Sequence, residues 1–151
     1  MPRQCSIANA LEVVGERWSL LALREIFMGV RRFDQIARNT GASRDILTAR
    51  LRKLEEAGLL ERRPYASRPP RHEYVLTESG RALHEVLLTL MSWGDRYVTD
   101  GPPPNVWAHS CGKVLEPVTV CASCNKPVLA EDMAALRVAE DMAALRVHEP
   151  Q

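Results

Sequence analysis

Three features of the chain predict a mainly α fold with one small β-hairpin. Two helical segments joined by a glycine turn lie near the middle of the sequence, a pair of strands with an arginine-bearing turn follows directly, and a long apolar-striped helix comes next. That order is a winged helix-turn-helix. A small Cys-rich C-terminal extension completes the chain.

Length and composition bound the reading. The chain has 151 residues, 46% of them apolar, enough for one domain and an appendage. No run approaches the roughly 20 apolar residues of a membrane span, and the start of the chain lacks the basic-then-apolar pattern of a secretion signal. A soluble cytoplasmic protein with no membrane partner is expected. Cys5, Cys111, Cys121 and Cys124 are the four cysteines. Without a secretion signal they read as metal or redox groups rather than disulfide staples.

The net charge of +1 conceals an asymmetry. Residues 1–72 carry 14 basic and 8 acidic side chains, and residues 73–151 carry 6 and 11. A basic half of that kind suits a polyanion partner. All but three of the basic residues are Arg, the side chain suited to bidentate phosphate and guanine contacts.

Residues 6–14 read as a short amphipathic helix with Ile7, Ala10, Leu11 and Val14 on one face, ended by Gly15. A second helix, about Trp18 to Met28, is apolar around much of its girth and closes at Gly29. Phe33 to Asn39 is the first helix of the helix-turn-helix. Thr40, Gly41 and Ala42 form the turn, Gly41 supplying the positive φ, and Ser43 is a good N-cap. The next helix runs from Arg44 to about Ala57. Its Leu47, Leu51 and Leu54 share an inward arc at 100° per residue, which leaves Asp45, Thr48, Ala49 and Arg52 outside, with Arg44 beside them. A short polar face of this kind, with small residues in it, fits a major groove.

Residues 60–65 alternate like a strand, residues 66–71 carry turn chemistry, and residues 72–76 form a second strand with Tyr74 and Leu76 on one face. This hairpin is the wing. Arg62, Arg63, Arg68, Arg71 and His72 concentrate positive charge there, and Pro69 and Pro70 stiffen its tip. Thr77 then caps a helix expected to run unbroken from Glu78 to Val98. Its stripe of Leu83, Leu87, Leu90, Trp93 and Tyr97 predicts a dimer interface, shared with the N-terminal helix.

The expected organisation is a DNA-binding and dimerisation domain over 1–98, a proline-rich linker over 99–105, a zinc-knuckle hairpin over 106–129 and a tail over 130–151. That tail repeats nine residues in tandem from Ala130 to Val147. Nine residues are two and a half helical turns, so the copies cannot share one apolar stripe. The second copy is expected to be frayed and dispensable.

Cys5, the Gly15–Trp18 run, the Arg32–Ile36 opening of the helix-turn-helix, the Leu47–Glu55 helix, Gly58 and Leu59, Arg62 and Arg63, the Glu73–Thr77 strand, Gly80 and the pair Trp93 and Gly94 occur in one order. In that order the chain resembles the HxlR family of bacterial regulators, relatives of the MarR-type winged helices, over about its first 98 residues. The resemblance implies a non-enzymatic homodimer on a palindromic duplex-DNA operator, acting as a repressor of its own or a neighbouring gene. Ser43, Arg44, Asp45, Thr48 and Arg52, with the five wing residues, are the implied DNA contacts. It also implies sensing of an oxidant or electrophile at Cys5, or of a small organic effector. Trp18, Phe27, Trp93 and Tyr97 are candidate lining for the effector pocket. Cys5 sits at a helix N-terminus, where partial positive charge favours the thiolate.

In the extension, His109 and Cys111 precede an extended run that leads to Cys121 and Cys124. A Cys-x2-Cys turn presents two thiolates to one metal, and His109 with Cys111 would complete a structural Zn2+ site. The first pair has one intervening residue where such knuckles usually have two, so Cys5, His148 or a partner subunit are alternatives to His109. A competing reading of the chain is a small zinc- or iron-binding redox protein that uses these cysteines. A zinc-dependent enzyme belongs to that competing reading, but catalysis is not expected, because His72, His84, His109 and His148 lie in unrelated contexts with no nucleophile-and-base set.

Overall fold

The structure is a computed structural model that describes residues 3–135. It divides into two units, Met1–Val106 and Trp107–Gln151.

The first unit is built on three helices. After α1 (Ser6–Val14), helices α2 (Arg17–Phe27), α3 (Phe33–Thr40) and α4 (Arg44–Glu56) bury Leu23, Ile36, Leu47, Leu51 and Leu54 completely. The leucines of α4 recur at the i, i+4, i+7 spacing that puts them on one face. One carboxylate lies in this core: Glu25 accepts from Asn39 Nδ2 at 2.7 Å and from the Arg24 guanidinium at 2.7 Å. Burial of an ionised group is tolerable when its lone pairs are filled in this way.

Strands β1 (Leu60–Ser67) and β2 (Pro70–Leu76) form an antiparallel hairpin in the register Leu60↔Leu76 to Pro64↔His72, with Tyr65 as a bulge before Ala66↔Arg71. The strands run further than the sequence pattern predicts. Only Arg68 and Pro69 remain as the turn, because the bulge lets pairing continue to Ser67↔Pro70. At its base the hairpin is tied to the body by Leu60, Tyr74 and Leu76 against the core, and by the Tyr74 N–H donating to the Arg31 carbonyl at 2.8 Å.

The expected single helix over residues 78–98 is two helices, α5 (Glu78–Ala82) and α6 (His84–Tyr97). The Leu83 N–H bonds to the Gly80 carbonyl at 3.1 Å, an i to i−3 closure that tightens the end of α5. Gly80 explains the break. A Cβ there would meet the Leu59 carbonyl oxygen at 2.2 Å, and Ser79 Oγ donates to the Gly58 carbonyl at 3.0 Å. The first turn is thus fixed beneath the start of β1, and α6 begins directly after Leu83.

The second unit has two tight turns, each closed by an isolated antiparallel bridge, Ala108↔Val114 and Val120↔Pro127, and a short 3-10 turn over Ala130–Asp132. The second repeat copy, with the end of the first, lies outside the described residues. No helix among them is long and apolar enough to cross a membrane.

Candidate nucleic-acid interface

Helix α4 is started by two local devices. Gly41 adopts φ 78° at the end of α3, and the Ser43 hydroxyl accepts from the Ile46 N–H at 3.3 Å. With its leucines buried, α4 turns Asp45, Thr48, Ala49 and Arg52 outward. Ser43 and Arg44 are exposed at its N-terminus, where free N–H groups and the helix dipole favour an anion such as a phosphate.

The wing carries its basic residues in two groups. Arg62 Nε lies 3.1 Å from Glu55, and Arg63 lies 3.5 Å from Glu61, so both are held within the chain. Arg68 in the turn and Arg71 and His72 on β2 are exposed. Among the described residues no carboxylate lies within ion-pair distance of Arg52, Arg68 or Arg71.

Arg44 is also held inside the chain. Its guanidinium donates to Asp34 at 2.6 Å and lies 4.9 Å from the Phe33 ring centroid. The Arg44 hydrogen bond and charge hold the Asp34 carboxyl below its usual range, and Arg71 and Arg38 add to this. Helix α3, the start of α4 and the wing therefore present positive charge around one carboxylate. Sequence reasoning did not single out Arg31, Arg32 or Arg38, all exposed. The available signal was three arginines within eight residues. Arg32 stacks on Tyr65 at 4.5 Å and Arg31 approaches Glu73 at 3.8 Å, and both contacts brace the wing.

The profile of the HxlR-like helix-turn-helix family matches residues 13–102. The chain belongs to that family. It is a transcriptional regulator with a DNA-binding helix-turn-helix. It is 50% identical over 130 residues to an uncharacterized HTH-type transcriptional regulator of Mycobacterium tuberculosis, covering 85% of this chain and 82% of the relative. The solved structure of PA1607, provisionally assigned as a transcription factor, superposes with a TM-score of 0.77 at 34% identity, covering 89% of this chain and 95% of that one. The reduced form of HypR, described as a redox regulator, superposes with a TM-score of 0.56 at 32% identity, covering 62% of this chain and 96% of HypR.

This HxlR-family chain divides the expected dimer stripe in two. Leu83 and Leu87 are partly buried against the chain's own core. Leu90, Trp93 and Tyr97 stay exposed on α6, Trp93 at 57% and Tyr97 at 65%. Helix α1 likewise buries Val14 and exposes Ile7 and Leu11.

Cys5 is exposed and is the N-cap residue of α1, without a side-chain cap bond. A cleft of about 470 Å³ lies beside α2 and β2, lined by Phe27, Arg31, Val75, Leu76, Arg81 and His84 among others. Of the four aromatics proposed for an effector pocket, it includes Phe27 alone. Trp93 and Tyr97 instead pair with each other on α6, their centroids 6.0 Å apart.

In the second unit, Cys121 and Cys124 share one turn while His109 and Cys111 share the other. All three cysteines are exposed and free. The backbone N–H groups of Ser123 and Cys124, with the Cys124 side chain, hold the Cys121 thiol below its ordinary range. Among the described residues no three His, Cys, Asp or Glu side chains converge to hold a metal. The structure therefore presents two donor pairs, not a finished site.

Proposed function

We propose that this regulator represses transcription by binding a palindromic operator as a homodimer. Helix α4 lies in the major groove and the wing grips the flanking phosphates. The observation that carries this reading is the shared availability of Arg52 on α4 and of Arg68 and Arg71 on the wing, three guanidiniums without a carboxylate partner among the described residues. Thr48 and Ala49 allow close approach to base edges, and the exposed N-terminus of α4 receives a phosphate. The apolar surface left by Leu90, Trp93 and Tyr97, with Ile7 and Leu11, supports pairing of two copies. A bound dimer blocks a promoter that overlaps its operator.

Oxidation at Cys5 sets the affinity in this reading. Its exposed thiol precedes α1, and one structural neighbour, HypR, is described as a redox regulator and solved in reduced and oxidised forms.

Selection from a randomised duplex pool with the reduced full chain tests the proposal. The expected product is an inverted repeat whose half-sites lie about one helical turn apart. It should release wild type on oxidation and retain the Cys5→Ser chain. No enrichment, or a single unrepeated half-site, contradicts the dimeric reading. Equal release of Cys5→Ser contradicts the sensing role.

A further inference from the structure

We propose that the two turns of the C-terminal unit close on a tetrahedral zinc ion, held by the sulfurs of Cys111, Cys121 and Cys124 and the imidazole of His109.

The two turns are built alike. The N–H of His109 donates to the Lys113 carbonyl at 2.8 Å, and that of Cys121 donates to the Lys126 carbonyl at 2.9 Å. The Gly112 N–H returns to the His109 carbonyl at 2.9 Å, and the Asn125 N–H returns to the Cys121 carbonyl at 2.7 Å. Gly112 at φ 84° and Asn125 at φ 58° occupy the left-handed region directly after Cys111 and Cys124. A non-glycine residue in that region is uncommon. In the first turn the Cys111 N–H donates to His109 Nδ1 at 3.3 Å. Two turns of like closure thus occur, the second one residue longer than the first, with metal-binding residue types in each.

Among the described residues the unit has no apolar core to hold the turns together. No residue from 107 to 135 is buried, and only Leu115 and Pro117 reach partial burial. A segment this small without an apolar core is ordered by a staple or not at all. Three thiolates and an imidazole are a donor set for tetrahedral zinc.

Because the donors stand as two pairs, closure is part of binding. Each of the three thiols releases its proton to solvent as its sulfur takes the metal. The His109 ring gives up the 3.3 Å bond from Cys111 N–H, which uses the Nδ1 lone pair in the metal-free state. No electron is transferred.

The test is Co2+ titration of the reduced full chain, followed by displacement with Zn2+. The expected result is the ligand-field spectrum of tetrahedral cobalt with thiolate charge transfer, abolished in Cys111→Ser and Cys121→Ser. His109→Ala should keep the charge transfer and weaken binding at least about tenfold. Amide exchange over 107–128 should slow on zinc addition. An octahedral cobalt spectrum overturns the proposal. So does a Cys111→Ser or His109→Ala chain that titrates like wild type, or a reduced chain that takes no metal and on oxidation only joins Cys121 to Cys124. DNA affinity measured in the same samples keeps this result separate from the operator reading.

Discussion

Arg44, the first residue of α4, reaches back to the Asp34 carboxylate on α3 at 2.6 Å. A residue that the sequence places among the DNA contacts is thus paired with the preceding helix. Replacing Asp34 by Asn removes a negative charge from the DNA-facing side and releases the guanidinium. The expected outcome is several-fold tighter binding at low salt, with the log–log salt slope steeper by about 0.9. Fluorescence anisotropy over a salt series reads both.

The same pair carries a pH signature. The folded Asp34 carboxyl titrates below its ordinary value of 3.8, so the unfolded chain takes up the proton first. Its contribution is present above that value and is lost as pH falls through the lower folded value. Comparing acid unfolding of wild type and Asp34→Asn should show a difference that closes in acid and stays constant near neutrality.

Arg68→Ala and Arg71→Ala should weaken binding to all duplexes alike. Each variant leaves one phosphate without its guanidinium, so the salt slope should become shallower by about 0.9. Arg62→Ala and Arg63→Ala should cost less, because Glu55 and Glu61 already hold those side chains.

Stability should depend on Glu25. Asn39→Ala removes one of its donors and leaves a buried carboxylate oxygen short of a partner, at a cost of about 1–3 kcal/mol in urea unfolding. Leu51→Ala, fully buried on α4, should cost about 2–5 kcal/mol.

Leu90→Glu with Trp93→Glu should give a folded monomer by sedimentation if α6 pairs two copies, because neither side chain is buried within the chain. Leu83→Ala should lower the melting temperature, since Leu83 packs against the chain's own core.

The helix-turn-helix was legible in the sequence because each device was local. The Leu47, Leu51, Leu54 period gave the inward face, Ser43 gave the start of α4, and Gly41 gave the turn. The hairpin was legible from alternation, though not its length, since prolines signal a turn and the bulge at Tyr65 carried the ladder past them. The break at Leu83 was hidden because its cause is tertiary: Gly80 fits beneath a carbonyl of another element, while the apolar stripe continues across it. The pairing of Arg44 to Asp34 and of Arg62 to Glu55 has the same tertiary origin, whereas Arg63 and Glu61 are two apart on one strand face, a pair that spacing could have shown. Leu83 and Leu87 are partly buried against the chain's own core, a contact that the apolar stripe alone does not separate from an interface.

The division of labour between α4 and the wing is tested most directly by binding of wild type, Arg52→Ala and Arg71→Ala to the selected duplex and to a scrambled one. Arg71→Ala should lose affinity equally on both. Arg52→Ala should lose mainly on the selected duplex, narrowing discrimination by about 1–3 kcal/mol. If Arg52→Ala lost equally on both, or Arg71→Ala lost only on the selected duplex, α4 would not be the element that reads sequence.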